Sequence, residues 1–200
     1  DRVLIVDFDV HHGNGTQDLL WHEPRAFLAT SQQMPLWPGT GAPEEKGAFD
    51  QIHNLPLPPG SSGSEMRALY SAQVFPLIDA FAPELILISA GFDAHADDPL
   101  ANLNWHEEDF IWLTKALCDL ANRHCNGRVV SLLEGGYDLD ALAQSAAAHV
   151  TALMSAKREA AIELNPPHTM AMLFASLEGT APMSEPAIPE MSFEQAMAEL

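Results

Sequence analysis

The sequence predicts an α/β protein built on an open parallel sheet with helices on both faces, and three observations carry that expectation. Four short apolar runs are continuous rather than alternating, as in strands covered on both sides. Longer stretches with apolar residues at helical spacing separate them. Polar residues able to do chemistry stand directly after three of the four runs, where an open α/β sheet presents its ligands.

The first run, residues 3–7, leads through a polar turn into a helix. The second run covers 26–30, and the segment 31–63 after it reads as a long loop. That segment holds Pro35, Pro38-Gly39, Gly41, Pro43, Pro56, Pro58-Pro59-Gly60 and Gly63, and loops of such length are uncommon unless functional. A single helix is predicted over 64–81, a strand over 85–89, a helix over 107–123 and a strand over 129–133. The last predicted helix, 138–154, is opened by Asp138. After residue 156 the pattern decays into prolines and scattered acids. Residues 157–200 are therefore expected to form a flexible acidic tail, with an amphipathic stretch at 192–200 suited to a short terminal helix.

Two hundred residues, 47% of them apolar, can bury a sizeable core. A formal charge of −19, from 28 acidic against 9 basic residues, argues against a nucleic-acid binder, which needs clustered Lys and Arg to displace counterions. It mildly favours a cationic substrate. The two cysteines, Cys118 and Cys125, form no metal or disulfide framework. No membrane span or secretory signal is visible, so a soluble, intracellular, cytoplasmic protein is expected. The chain opens directly on a strand with no initiator Met, which suggests that it begins in mid-domain.

Three strand ends carry the chemistry. The first run continues into Asp7-Phe8-Asp9-Val10-His11-His12-Gly13-Asn14-Gly15-Thr16, the third into Ala90-Gly91-Phe92-Asp93, and the fourth into Glu134-Gly135-Gly136-Tyr137. Alternation along an extended chain puts Asp7, Asp9 and His11 on one side. With Asp93 from a neighbouring strand, Asp9 and His11 make a three-ligand site with a position left for water, as catalytic zinc requires. Oxygen and nitrogen donors would also suit iron(II), cobalt or manganese. His95 stands two positions past Asp93, and alternation turns it away from that site. His22, His53, His106, His124, His149 and His168 show no partner pattern and read as solvated or helix-capping.

Four motifs in order resemble the zinc-dependent histone deacetylase family, which also includes bacterial acetylpolyamine amidohydrolases and acetoin-utilisation-type proteins. They are Asp-x-Asp-Val-His-His-Gly-Asn-Gly-Thr-Gln at 7–17, Trp-Pro-Gly-Thr-Gly at 37–41, Ser-Ala-Gly-Phe-Asp at 89–93 with Asp98-Pro99-Leu100 following, and Leu-Glu-Gly-Gly-Tyr at 133–137. Asn14 and Glu134 look more like the class II branch than class I. The resemblance implies an arginase/deacetylase-like fold, with residues 1–156 as the C-terminal part of a deacetylase domain. It implies zinc on Asp9, His11 and Asp93, and Tyr137 as the hydroxyl donor to the substrate carbonyl. Class IIa vertebrate deacetylases, which are weak catalysts, carry His at that place, so Tyr137 favours activity.

The same resemblance makes Asp7 the carboxylate that orients a catalytic histidine, with Asn14 at the matching position for a second histidine. Asn14 between two glycines is equally a good turn residue. His12 would shape the structure around the first ligand. A structural K+ site is implied at Asp7, Asp9, His11 and Thr30, the last read as following the second strand. Trp37 and Leu100 would wall an acyl-lysine channel, which Gly135 and Gly136 let the backbone approach. Trp37 as plain core filling is the competing expectation.

The family's tandem histidine pair, its general base and partner, precedes the first motif. His11-His12 is not that pair, so this chain alone is expected to turn over little. Implied substrates are an acetylated lysine peptide or an acetylpolyamine, with no direct nucleic-acid or membrane partner. The alternatives are a non-catalytic scaffold that keeps the fold and an arginase-like binuclear manganese hydrolase.

Overall fold

The computed structural model describes residues 2–164, with side chains to residue 156. Five strands, β1 (Val3–Asp7), β2 (Ala26–Gln33), β3 (Ile52–Leu57), β4 (Leu85–Ala90) and β5 (Val129–Leu133), form one sheet in the order β3-β2-β1-β4-β5. Every neighbouring pair is parallel. The helices are α1 (Asn14–Leu20), α2 (Gly63–Leu69), α3 (Phe75–Phe81), α4 (Glu107–Cys125) and α5 (Leu139–Leu164).

Alternation along the strands divides the interior into two clusters. Leu4 and Val6 of β1, Phe27 and Ala29 of β2, and Ile86 and Ile88 of β4 meet Met66, Ile78, Phe110, Leu113 and Leu117 from α2, α3 and α4 on one face. Each fully buried aliphatic or aromatic side chain there contributes roughly 1.5–3 kcal/mol. On the other face Ile5, Leu28 and Ile52 pack with Leu20 of α1 and with Trp21. Helices therefore lie on both faces, as the apolar runs predict. Cover is uneven: Val130 and Leu132 of β5, on the α1 side, are exposed.

Two departures from the sequence expectations have clear causes. β3 lies within the stretch read as a loop. Its Pro56 removes a ladder donor, but β3 is an edge strand hydrogen-bonded only to β2, where a proline is tolerated. The helix predicted over 64–81 is broken by a π-helical turn, Tyr70–Val74, before α3 restarts with Pro76 in its first turn. α4 ends at Asn126 in the left-handed conformation, and α5 continues past the predicted end at 154. The rest of the expected tail, with its stretch at 192–200, lies outside the described residues, as does His168.

Candidate metal and substrate site

From β1 the chain proceeds outward to β2 and β3 on one side, and β4 and β5 lie on the other, so the strand order reverses between β1 and β4. Loops leaving such strands diverge and open a crevice at their carboxyl ends. Asp7, Asp9, His11, Trp37, Leu100, Gly135 and Tyr137 line a cleft of about 560 Å³ there, together with His12, Ser89 and Glu134. Sequence reasoning gave no role to Ser89, and none to Glu134 beyond its place in a motif.

The floor of the cleft is a converging triad. His11 Nδ1 lies 3.1 Å from Asp9 Oδ1 and 3.1 Å from Asp93 Oδ2. Backbone donors fix both carboxylates: His11 N–H reaches Asp9 Oδ1 at 2.8 Å, Gly135 N–H reaches Asp9 Oδ2 at 2.8 Å, and Val10 N–H reaches Asp93 Oδ1 at 2.8 Å. Asp93 is fully buried. Burial, then the facing Asp93 charge, pushes the Asp9 carboxyl above its ordinary range. The hydrogen bond to Asp93 above all raises the His11 imidazole, against the effect of burial. Two carboxylates held this close are electrostatically suited to a cation. A tetrahedral ion with bonds of ~2.1 Å has ligand edges of about 3.4 Å, so the observed 3.1 Å spacings fit zinc or a similar ion.

Gly135 is fixed by the same geometry, since a Cβ there would lie 2.1 Å from Asp93 Oδ2 and 2.6 Å from Asp9 Oδ2. Gly136 follows at φ +146°. Tyr137 presents an exposed ring to the cleft. Desolvation, then Asp93 and Asp9, raises its phenol, which keeps it a hydrogen-bond donor. Its backbone N–H is held by Asp98 Oδ2 at 2.8 Å, and Leu100 N–H by Asp98 Oδ1 at 2.9 Å. Trp37 is 73% exposed and meets the His11 ring edge-on at 6.3 Å between centroids, so it belongs to the cleft wall rather than the core.

Asp7 is buried and accepts Asp9 N–H at 3.0 Å. Burial pushes its carboxyl up to about 8. Thr30, wholly buried, is its register partner on β2; because β2 runs to Gln33, Thr30 lies within the strand and not after it. Asn14 opens α1 with an exposed side chain, and neither it nor Thr30 lines the cleft. His12 is buried with both ring nitrogens engaged, to Thr40 at 2.8 Å and Gln17 at 3.0 Å. Gln17 in turn donates to Glu45 and accepts from Asn54, which ties α1, β3 and the loop behind Trp37 together. No local motif announces that network.

The remaining histidines divide. His106 stands at the N-cap position of α4, where its backbone N–H donates to Asp109 Oδ2 at 2.9 Å. His124 pairs with Asp79 at 2.6 Å, and His53 stacks on Phe27. His149 is a correction: it is buried, with Thr114 at 2.7 Å, Ser131 at 2.8 Å and Phe8 and Phe92 around it. Cys118 and Cys125 are unpaired and buried. Among the described residues no helix is long and apolar enough to cross a membrane.

Residues 1–153 match the family model described as "Histone deacetylase domain". "Histone deacetylase 10, chloroplastic" of Oryza sativa subsp. japonica is 43% identical over 149 residues, which cover 73% of this chain and 34% of the relative. The "Probable deacetylase" of Archaeoglobus fulgidus is 37% identical over 143 residues, covering 70% of this chain and 40% of the relative. Among solved structures, that titled "Structure of the histone deacetylase Clr3" superposes with a TM-score of 0.72 at 32% identity, over 77% of this chain and 27% of that one. The chain thus spans less than half the length of these relatives.

Proposed function

Because the chain belongs to the histone deacetylase domain family, we propose that it carries the metal-binding and carbonyl-facing half of a deacetylase that hydrolyses an acyl amide. The observation that supports this most is the convergence of Asp9, His11 and Asp93 on one point of a cleft that Tyr137 also lines. Asp9, His11 and Asp93 would hold zinc, which supplies carbonyl polarisation and a more acidic water. Tyr137 would donate its phenol hydrogen to the carbonyl oxygen as negative charge gathers there, an interaction worth most when the donor is already in place. Asp98 holds the Tyr137 backbone and so sets where the phenol can reach. Trp37 and Leu100 would flank the aliphatic stem of the substrate and exclude water from it.

Asp7 fits the role of a carboxylate awaiting a positive partner. A carboxyl pushed to about 8 by burial is stabilised by a histidine N–H or by a monovalent cation near Thr30, and either would return it to the charged form. His11 is a ligand candidate and His12 is bound on both nitrogens, so neither is assigned the general-base role, which the family's tandem histidine pair would take.

The acidic balance and apolar walls suit an acetyl-lysine peptide or an acetylpolyamine. The decisive experiment is a deacetylation assay on an acetyl-lysine peptide and an acetylated polyamine. It compares this chain with one extended upstream to the family's domain length, each with and without zinc. Zinc-dependent turnover in the extended chain, at least ~10²-fold above this one, is expected. Equal turnover in both would overturn the reading of this chain as half of the machinery, and no turnover and no zinc in the extended chain would reject the proposal in favour of a scaffold.

A further inference from the structure

We propose that His95, His106 and Glu107 form a second metal site, separate from the Asp9 cleft, that takes a divalent cation of the zinc, cobalt or nickel class. Their ligand atoms lie within 4.8 Å of one another. His95 is 4% exposed, and its Nε2 is buried with no hydrogen-bond partner. That nitrogen faces Glu107 Oε1 at 3.5 Å, close to the ~3.4 Å ligand edge of a tetrahedral ion. The His106 ring stands perpendicular to that of His95, with centroids 5.5 Å apart. Being exposed, it can close the remaining distance by a side-chain rotation.

A buried ring nitrogen without a partner is a standing cost in a native interior. Two imidazoles and one carboxylate on its open side, with solvent access for a completing water, are the donor set of an exchangeable zinc-class site. The surroundings supply an orienting group as well. In the free ring Nδ1 accepts Asp97 N–H at 3.1 Å, so the ring proton sits on Nε2. A metal on Nε2 requires that proton on Nδ1 instead, so the ring gives up the bond from Asp97 N–H and gains the exposed Asp97 carboxylate, 3.8 Å away, as acceptor.

The position gives the site a consequence. His95 begins the loop that carries Asp98 and Leu100, and His106 and Glu107 begin α4. A metal would clamp this loop to the helix at a point three residues from the carboxylate that holds Tyr137. None of His95, His106 and Glu107 lines the Asp9 cleft.

The test is zinc stoichiometry, measured by dialysis against zinc and elemental analysis, on the unaltered chain and on His11→Asn, His106→Asn, Glu107→Gln and His11→Asn/His106→Asn. Asparagine is a favoured residue at the N-cap position His106 occupies, and Glu107→Gln leaves that position untouched, so folding is preserved in at least one probe. His11→Asn is expected to retain one zinc per chain. His106→Asn and Glu107→Gln are expected to hold one fewer than the unaltered chain or to bind it at least tenfold more weakly, and the double variant to bind none. A zinc-free His11→Asn, or full zinc in both His106→Asn and Glu107→Gln, overturns the assignment. Because the readout is metal content, either outcome is independent of whether the Asp9 cleft turns over substrate.

Discussion

The Asp98 carboxylate accepts the backbone N–H of Tyr137 at 2.8 Å, a contact across 39 residues that fixes the start of α5 to the loop after β4. Its other oxygen takes Leu100 N–H at 2.9 Å, so one buried acid sets both the phenol and the apolar wall facing it. Asp98→Asn keeps the shape but turns one acceptor into a donor against an N–H. A charge-assisted bond of this kind is worth ~1.5–3 kcal/mol, which corresponds to roughly a 10- to 100-fold loss of kcat. Zinc content should not change. The measurement is kcat and bound zinc in a chain extended to full domain length; loss of zinc alongside kcat would show that Asp98 supports the fold instead.

Gly135→Ala offers a sharper test of the metal centre. The new Cβ would fall 2.1 Å from Asp93 Oδ2, and the backbone N–H that holds Asp9 would have to move with it. Zinc affinity is expected to fall at least ~10-fold, as loss of outer contacts to metal ligands does, with about 1–3 kcal/mol lost from stability by overpacking. Competition with a zinc chelator reads the first and denaturant unfolding the second. Unchanged affinity would place the bound metal elsewhere.

Much of this was legible in the residue pattern because strand ends in a parallel sheet concentrate function. β1 and β5 match their apolar runs, and the three loaded ends meet in space, with Asp9 and His11 beside Asp93 and the Gly135 N–H on Asp9 Oδ2. The edge strand β3 was hidden by its polar residues His53 and Asn54 and by Pro56, whose missing N–H an edge position accommodates. The partners of His149, at separations of 35 and 18 residues, and the Gln17–Glu45–Asn54 tie have no local signature, since each depends on which elements the topology makes adjacent. Asp98 was visible within its motif, but its bond to Tyr137 was not.

Trp37→Ala separates substrate contact from folding. At 73% exposure the ring contributes little to the core, so the unfolding midpoint should barely move. Loss of one channel wall should raise KM for an acetyl-lysine peptide about tenfold, with kcat changed much less, because the contact acts on the bound stem in ground and transition states alike. Steady-state kinetics on the extended chain measure the split. A fall in kcat with KM unaltered would instead assign the ring a role at the reacting carbonyl.

His149 gives a pH prediction that needs no substrate. Thr114 spends its hydroxyl hydrogen on the Phe110 carbonyl, so His149 Nδ1 donates to Thr114 while Nε2 accepts from the Ser131 hydroxyl. Both nitrogens are thus satisfied in the neutral ring, and a second proton would place a charge among Phe8 and Phe92 and oblige the Ser131 hydroxyl to turn from donor to acceptor. Burial lowers this imidazole to about 4 from an ordinary 6.5. Between those values the unfolded chain binds a proton that the folded chain refuses, so stability is complete above pH 6.5 and falls as pH drops toward 4. The loss amounts to about 3 kcal/mol from this group by pH 4. His149→Gln, which cannot titrate, should cost ~1–3 kcal/mol at pH 7 through lost packing and bonding. Its unfolding free energy should then decline less steeply than that of the unaltered chain between pH 7 and 4, by about the same 3 kcal/mol. Parallel curves for the two chains across that range, measured by urea unfolding at several pH values, would mean that His149 takes up its proton in the folded protein as readily as in the unfolded one.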